Sequence, residues 1–257
     1  MVNVIKDLMM DVNLHFSDGL MWMSGVDPEH VGIVNWRIQH SSIVSDGAIV
    51  GVYMTAIYKF LRNAEKDDDL LIEVGDQTGI KFRLKNEKRD ISYFFYNLII
   101  PETAIDVTRN HYDGHVFIKA SLLQKNFRDI AYSSKVINVK IDKMGNLTFT
   151  SKGDSGIGSF TLSVLDERIT WAYRHFDSYD CCFYLQYFDK FIKSNIADYI
   201  SLKFDKLIYL NYEVSEDDIS HSLTLGLAPF ADQNFNHDVD IGNSFITPDS
   251  DKLDAVC

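Results

Sequence analysis

At 257 residues, with 46% hydrophobic and 24% charged residues, the chain has the balance of a globular protein and length for one large domain or two ordinary ones. A formal net charge of −12 excludes a generally basic, phosphate-coating surface, so contact with nucleic acid requires the 25 Lys and Arg to be gathered on one face. No apolar run approaches the ~18 residues that span a bilayer, and Met1-Val2-Asn3-Val4-Ile5-Lys6-Asp7 lacks the basic front and apolar middle of a secretory signal. Cys181, Cys182 and Cys257 form neither a C-x-x-C pair nor a disulfide framework, which predicts a reducing, intracellular setting with no membrane.

Most of the chain reads as strands. In the first half, β-branched and aromatic runs at 12–16, 20–23, 30–38, 70–74, 80–84 and 91–98 are separated by turn residues such as Ser17-Asp18-Gly19. The second half continues with 115–119, 136–141, 147–150, 159–164, 169–175, 200–204, 207–214 and 223–227, with Asp142-Lys143-Met144-Gly145-Asn146 as a turn. Few segments have helical period. Met54, Ile57, Leu61 and Ala64 share one face; Leu123, Phe127 and Ile130 share another after a cap predicted at Ser121; Leu185, Phe188 and Ile192 make a third. A short fourth helix is predicted around Ile5, Leu8 and Met9.

The opposite faces of these helices carry the charge. Thr55, Lys59 and Arg62, then Ser121, Lys125 and Arg128, then Gln186, Lys190 and Lys193 each repeat at i, i+4, i+7, a polar stripe ending in two cations; the first helix adds Lys6. Any one amphipathic helix carries lysines outward as a matter of solvation. Three matching stripes in an acidic chain point instead to a shared positive surface.

The order helix, strands, helix, strands occurs twice, which predicts two similar halves. The N-terminal domain is placed at 1–96, a connector without clear period at 97–113, and the C-terminal domain at 114–230. The second half has a strand ahead of its first helix, and the first half has none. Residues 231–257 hold six Asp and one Lys with little periodicity, an acidic tail.

No motif supplies catalytic chemistry. Gly153-Asp154-Ser155-Gly156 resembles a serine-protease nucleophile segment, but no matching histidine segment accompanies it and a β-turn is the better reading. His111, Asp113 and His115 lack a fourth metal ligand at suitable spacing and read as a polar loop. Neither H-E-x-x-H nor a phosphate-cradling G-x-x-x-x-G-K occurs, and no enzyme activity, cofactor or metal is expected.

Taken in order, several segments resemble the eukaryotic-type DNA sliding clamps of the proliferating cell nuclear antigen family. They are Ile5-Lys6-Asp7-Leu8, Gly19-Leu20, Asp27-Pro28-Glu29-His30-Val31-Gly32-Ile33-Val34, Tyr58 to Ala64 with Asp67 to Ile72, Phe127-Arg128-Asp129-Ile130, Leu185 to Lys193, and Leu227-Ala228-Pro229. The match is collinear over roughly residues 5–229 and divergent, in keeping with a large DNA virus as source. The resemblance implies an α+β fold of two clamp domains, antiparallel sheets with short helices, joined head to tail into a homotrimeric ring around duplex DNA. It implies that Lys6, Lys59, Arg62, Lys125, Arg128, Lys190 and Lys193 line the channel and touch phosphates without reading bases. It implies a pocket for motif peptides of DNA polymerase and other replication and repair proteins, formed by Val26, His30, Val31, Ile105, Val107, Leu207, Gly226, Leu227, Ala228 and Pro229. Val26 stands where a methionine is usual, and Gly226 where many members have a pocket tyrosine. The subunit interface is expected at Tyr93 on one strand edge and Gly158 and Phe160 on another, with a clamp loader as partner and the nucleus or a viral replication site as location. A subunit of a heterotrimeric checkpoint clamp and a monomeric viral processivity factor are the competing readings.

Overall fold

The computed structural model describes residues 1–45, 47–75, 78–102, 111–130, 134–154, 156–194, 196–216 and 218–230. Ile105 and Val107 of the connector and the acidic segment from 231 onward lie outside the described residues. The first half runs α1 (Val2–Leu8), β1 (Asp11–Ser17), β2 (Leu20–Val26), β3 (Gly32–His40), β4 (Ala48–Tyr53), α2 (Met54–Leu61), β5 (Asp69–Gly75), β6 (Gly79–Lys85) and β7 (Asp90–Tyr96). The second runs β8 (Gly114–Lys119), α3 (Ala120–Ile130), β9 (Val136–Ile141), β10 (Leu147–Gly153), β11 (Gly156–Leu162), β12 (Ile169–Arg174), β13 (Tyr179–Tyr184), α4 (Leu185–Ile192), β14 (Tyr199–Phe204), β15 (Ile208–Glu216) and β16 (Ile219–Leu227).

Local chemistry explains these elements. β1 buries Val12, Leu14 and Phe16 in strict alternation, the period-2 pattern of a half-covered strand, and then turns at Gly19, whose φ of 74° favours glycine. α4 buries Leu185, Tyr187, Phe188, Phe191 and Ile192 while Gln186 and Lys193 stay exposed, the stripe that a 3.6-residue period produces. Beneath the second-half helices, Phe127, Phe149, Phe160 and Phe188 meet ring to ring at centroid separations of 5.0–6.5 Å.

Every strand pair is antiparallel. One nine-stranded sheet runs β12-β8-β14-β15-β16-β3-β2-β1-β4, so strands of both halves share a hydrogen-bonded surface, joined where β16 pairs with β3 from Ile219↔His40 to Leu227↔Gly32. A four-stranded sheet, β11-β10-β9-β13, and a three-stranded one, β5-β6-β7, complete the fold. The helices touch in the series α2–α1–α4–α3, giving a layer that also crosses from one half to the other.

Some sequence expectations need correction. Ser121 is not a cap; it lies inside α3, which follows directly from β8. His30 and Val31 precede β3 rather than opening it, because a turn closed by Asp27 ends only at Gly32. Leu207 likewise stands one residue before β15. Strands β4 and β13 were not foreseen.

Candidate nucleic-acid interface and partner pocket

Of the predicted channel cations, Lys59, Arg62, Lys125, Arg128 and Lys193 are exposed on α2, α3 and α4 or at their C-terminal ends. Lys and Arg near helix C-termini are also favoured by the macrodipole, so their position serves helix stability as well as any phosphate. Lys193 pairs with Asp189 one turn earlier at 2.7 Å, a surface contact that a phosphate can displace at little loss. Lys6 and Lys190 are more enclosed. Lys6 pairs with Asp7 and sits 4.7 Å from the Tyr58 ring centre, and Lys190 donates to the Asp7 carbonyl at 2.9 Å. These two stitch α1 to α2 and α4, so the structure gives them a packing role that the spacing alone did not show.

The predicted pocket residues that the structure describes converge at one end of the large sheet. Val26 faces Ile33 across β2 and β3, Leu227 faces both Gly32 and Ile208, and Ala228 N–H donates to the Val31 carbonyl at 3.0 Å. Gly226 is buried opposite Tyr209, and a Cβ added there would lie 2.9 Å from the Tyr209 ring. The ring thus lies over the glycine from the neighbouring strand, itself in edge contact with Tyr112 at 5.2 Å. This buried cross-strand contact was not legible at position 226, because cross-strand register is not written in local spacing. A cavity of about 380 Å³ lined by Glu29, Ser134, Lys135, Tyr184, Leu185, Gln186 and Asp189 adjoins Glu29 from the α4 side and shares no residue with the predicted pocket.

The turn between β2 and β3 is held by a residue the sequence did not single out. Asp27 is 1% exposed, and its carboxylate accepts the Glu29 and Val31 amides at 2.9 Å each, the Gly32 amide, and the Tyr187 hydroxyl from α4. Tyr187 also reaches Glu29 at 3.2 Å, as does Gln186. Burial, and then the Asp27 carboxylate it faces, push the Tyr187 hydroxyl well above the ordinary tyrosine range, so it remains a donor.

The predicted interface strands are both sheet edges. β7 ends the three-stranded sheet with Ile91, Tyr93, Phe94 and Tyr96 exposed, Tyr93 at 57%. β11 ends the four-stranded sheet, where Gly158 lies against Ile130 and Phe160 packs inward on Phe127 and Phe149. Open edges of this kind are normally covered or paired. Among the described residues no group of three potential metal ligands occurs, and His111 stacks on His175 instead.

The arrangement is thus two halves of similar order sharing a sheet beneath a continuous helix layer. Residues 1–108 match the family model "Proliferating cell nuclear antigen, N-terminal domain". The fold is similar to that of PCNA from Thermococcus kodakaraensis, with a TM-score of 0.77 and 15% identity over 89% of this chain and 94% of that one. No curated protein matches the chain by sequence. The family model thus matches the first 108 residues, and the fold as a whole is similar to that of the archaeal PCNA.

Proposed function

We propose that the chain is a polymerase processivity factor: it encircles duplex DNA as a homotrimer and tethers a DNA polymerase and other replication and repair proteins by their motif peptides, without catalysis of its own. The observation that carries the proposal is the helix layer. Its exposed positions hold Lys59, Arg62, Lys125, Arg128 and Lys193 in a chain of net charge −12. A ring with an acidic exterior and a basic lining needs only weak, sequence-independent phosphate contacts, because topology retains it on the DNA. Edge strands β7 and β11 supply complementary open ladders for closing the ring head to tail, with Tyr93 beside Gly158 and Phe160. A clamp loader and a site of DNA replication, nuclear or viral, belong to the same proposal.

Light scattering coupled to size-exclusion chromatography tests assembly, with a mass of three protomers of 29.5 kDa expected at micromolar concentration. A stable monomer favours the non-encircling processivity factor, and a ring formed only with other chains favours the heterotrimer. Sliding is then tested by retention on circular, but not linear, duplex.

A further inference from the structure

We infer that Asp27, oriented by Tyr187, is the positioning residue for the turn that carries His30 and Val31, so that α4 sets one wall of the partner pocket. The inference rests on the pocket reading above for its consequence, but its geometry stands alone. The turn from Asp27 to Gly32 contains Pro28 and a left-handed non-glycine residue, His30, at φ 58°. Such a conformation persists only where the surroundings determine it. Here they do. Asp27 N–H donates to the Gly32 carbonyl and its own carbonyl accepts from His30, both at 2.9 Å, closing the loop by backbone alone. Its carboxylate then collects the amides of Glu29, Val31 and Gly32, three donors that would otherwise lack partners inside the turn.

A carboxylate 1% exposed needs its remaining lone pairs filled, and the described residue that reaches it from outside the turn is Tyr187, 160 residues away and 4% exposed. Tyr187 lies on α4 between Gln186, which holds Glu29, and Lys190, which is bonded to α1. The turn is consequently fastened to the helix layer on one side and, through Val31 and Ala228, to the end of β16 on the other. Shifting α4 moves the hydroxyl donor that orients the carboxylate on which the turn is built.

Tyr187→Phe removes one hydroxyl and leaves the ring in place. Hydrogen exchange at Glu29, Val31 and Gly32 is expected to quicken by about tenfold to a hundredfold, the effect of one charge-assisted hydrogen bond, and by more than in the β3–β16 ladder. Asp27→Asn, which places an amide donor among donors, is expected to exceed this. Unchanged exchange at these three amides in both variants overturns the inference. Calorimetric titration with a peptide bearing a glutamine, an aliphatic residue and two aromatics reads the consequence, a loss of affinity of about fivefold for Tyr187→Phe. If the peptide binds wild type and Tyr187→Phe equally although exchange rises, the turn is not a wall of the pocket, and that part of the inference falls. If wild type binds no such peptide while exchange still rises in the variant, the latch stands and the pocket reading alone fails.

Discussion

β5 and β14 follow equivalent helices in the two halves, yet their environments differ. β14 lies between β15 and β8, and its inward row, Ile200, Leu202 and Phe204, is at most 1% exposed. β5 pairs with β6 on one edge, and among the described residues nothing pairs with its other edge. Its inward row is Leu70 at 46% exposure with Ile72 and Val74 half-buried, although the partners Phe82 and Ile80 across the ladder are sealed. With a strand on each side, β6 is buried on its inward face, whereas β5, with one neighbour at the margin, is not. Among the described residues, the first half has what the proposed ring uses, the β7 edge and two cation-bearing helices, and no strand lies beside β5 as β8 lies beside β14.

The comparison breaks most visibly in stability. Leu202→Ala is expected to destabilise by about 2–5 kcal/mol, the range for a closed core that cannot collapse around the lost methyl groups. Leu70→Ala is expected to change stability by less than about 1 kcal/mol, since half of its side chain is already in water. Urea unfolding of both variants decides this. A loss at Leu70 as large as at Leu202 would mean that something covers the edge of β5 in solution.

Next in size is assembly. If the proposed trimer pairs β7 with β11, Tyr93→Asp on the exposed β7 edge is expected to weaken it at least tenfold, because the carboxylate would be buried against an edge without a counter-charge. The same change at the exposed Leu165, outside both edges, should leave the mass unaltered. Light scattering over a dilution series reads both.

The elements that eluded sequence reading share a physical cause. β4 passes from Tyr53 into Met54 of α2, and β13 from Tyr184 into Leu185 of α4; neither N-terminus has a side-chain cap. With no Ser, Asp or Gly at the junction, an apolar strand and an apolar helix face merge into one run, and period analysis sees only the longer-lived helix signal. The misplaced cap at Ser121 arises from the same kind of junction at Lys119 and Ala120. The strands flanked by Asp, Gly and Asn turns were legible, such as β9 and β10 around Asp142 to Asn146, where the Asp142 side chain accepts the Asn146 amide at 2.9 Å. The exposed positions of Lys59, Arg62, Lys125, Arg128 and Lys193 were legible because helical spacing is local, whereas the contacts of Lys6 and Lys190 were not. The Asp27–Tyr187 bond and the Tyr209 ring over Gly226 were not, since each depends on register between distant segments.

A third test compares the two halves in the proposed channel. Lys59→Glu with Arg62→Glu in the first half, and Lys125→Glu with Arg128→Glu in the second, are expected to reduce retention on circular duplex by similar factors, about tenfold at low salt and less as salt rises. Both pairs are exposed, so neither should alter melting by more than about 1 kcal/mol. If only the second-half pair matters, DNA is held by one domain rather than encircled evenly.

The smallest expected effect is acid sensitivity, and it too differs between halves. His15 in β1 stacks on Trp22 at 3.9 Å, and burial lowers its pKa below the ordinary 6.5 while Glu102 pulls it back. His115 in β8 lies among Phe117, Tyr173 and Lys203; burial lowers its pKa, the Lys203 charge lowers it further, and Glu213 opposes both. A histidine whose folded pKa is depressed binds fewer protons folded than unfolded. Its contribution is therefore complete above pH 6.5 and is lost as pH falls from there through the folded pKa. Both groups are partly exposed, so solvent screening limits each to under about 1 kcal/mol. Melting wild type at pH 7.5 and pH 5.5 should show a drop that His115→Gln reduces by about 1–3 °C, with His15→Gln reducing it less, because only His115 has a cation opposing its protonation. Equal recovery from the two substitutions would mean that burial alone sets both values and that Lys203 is screened from His115 by water.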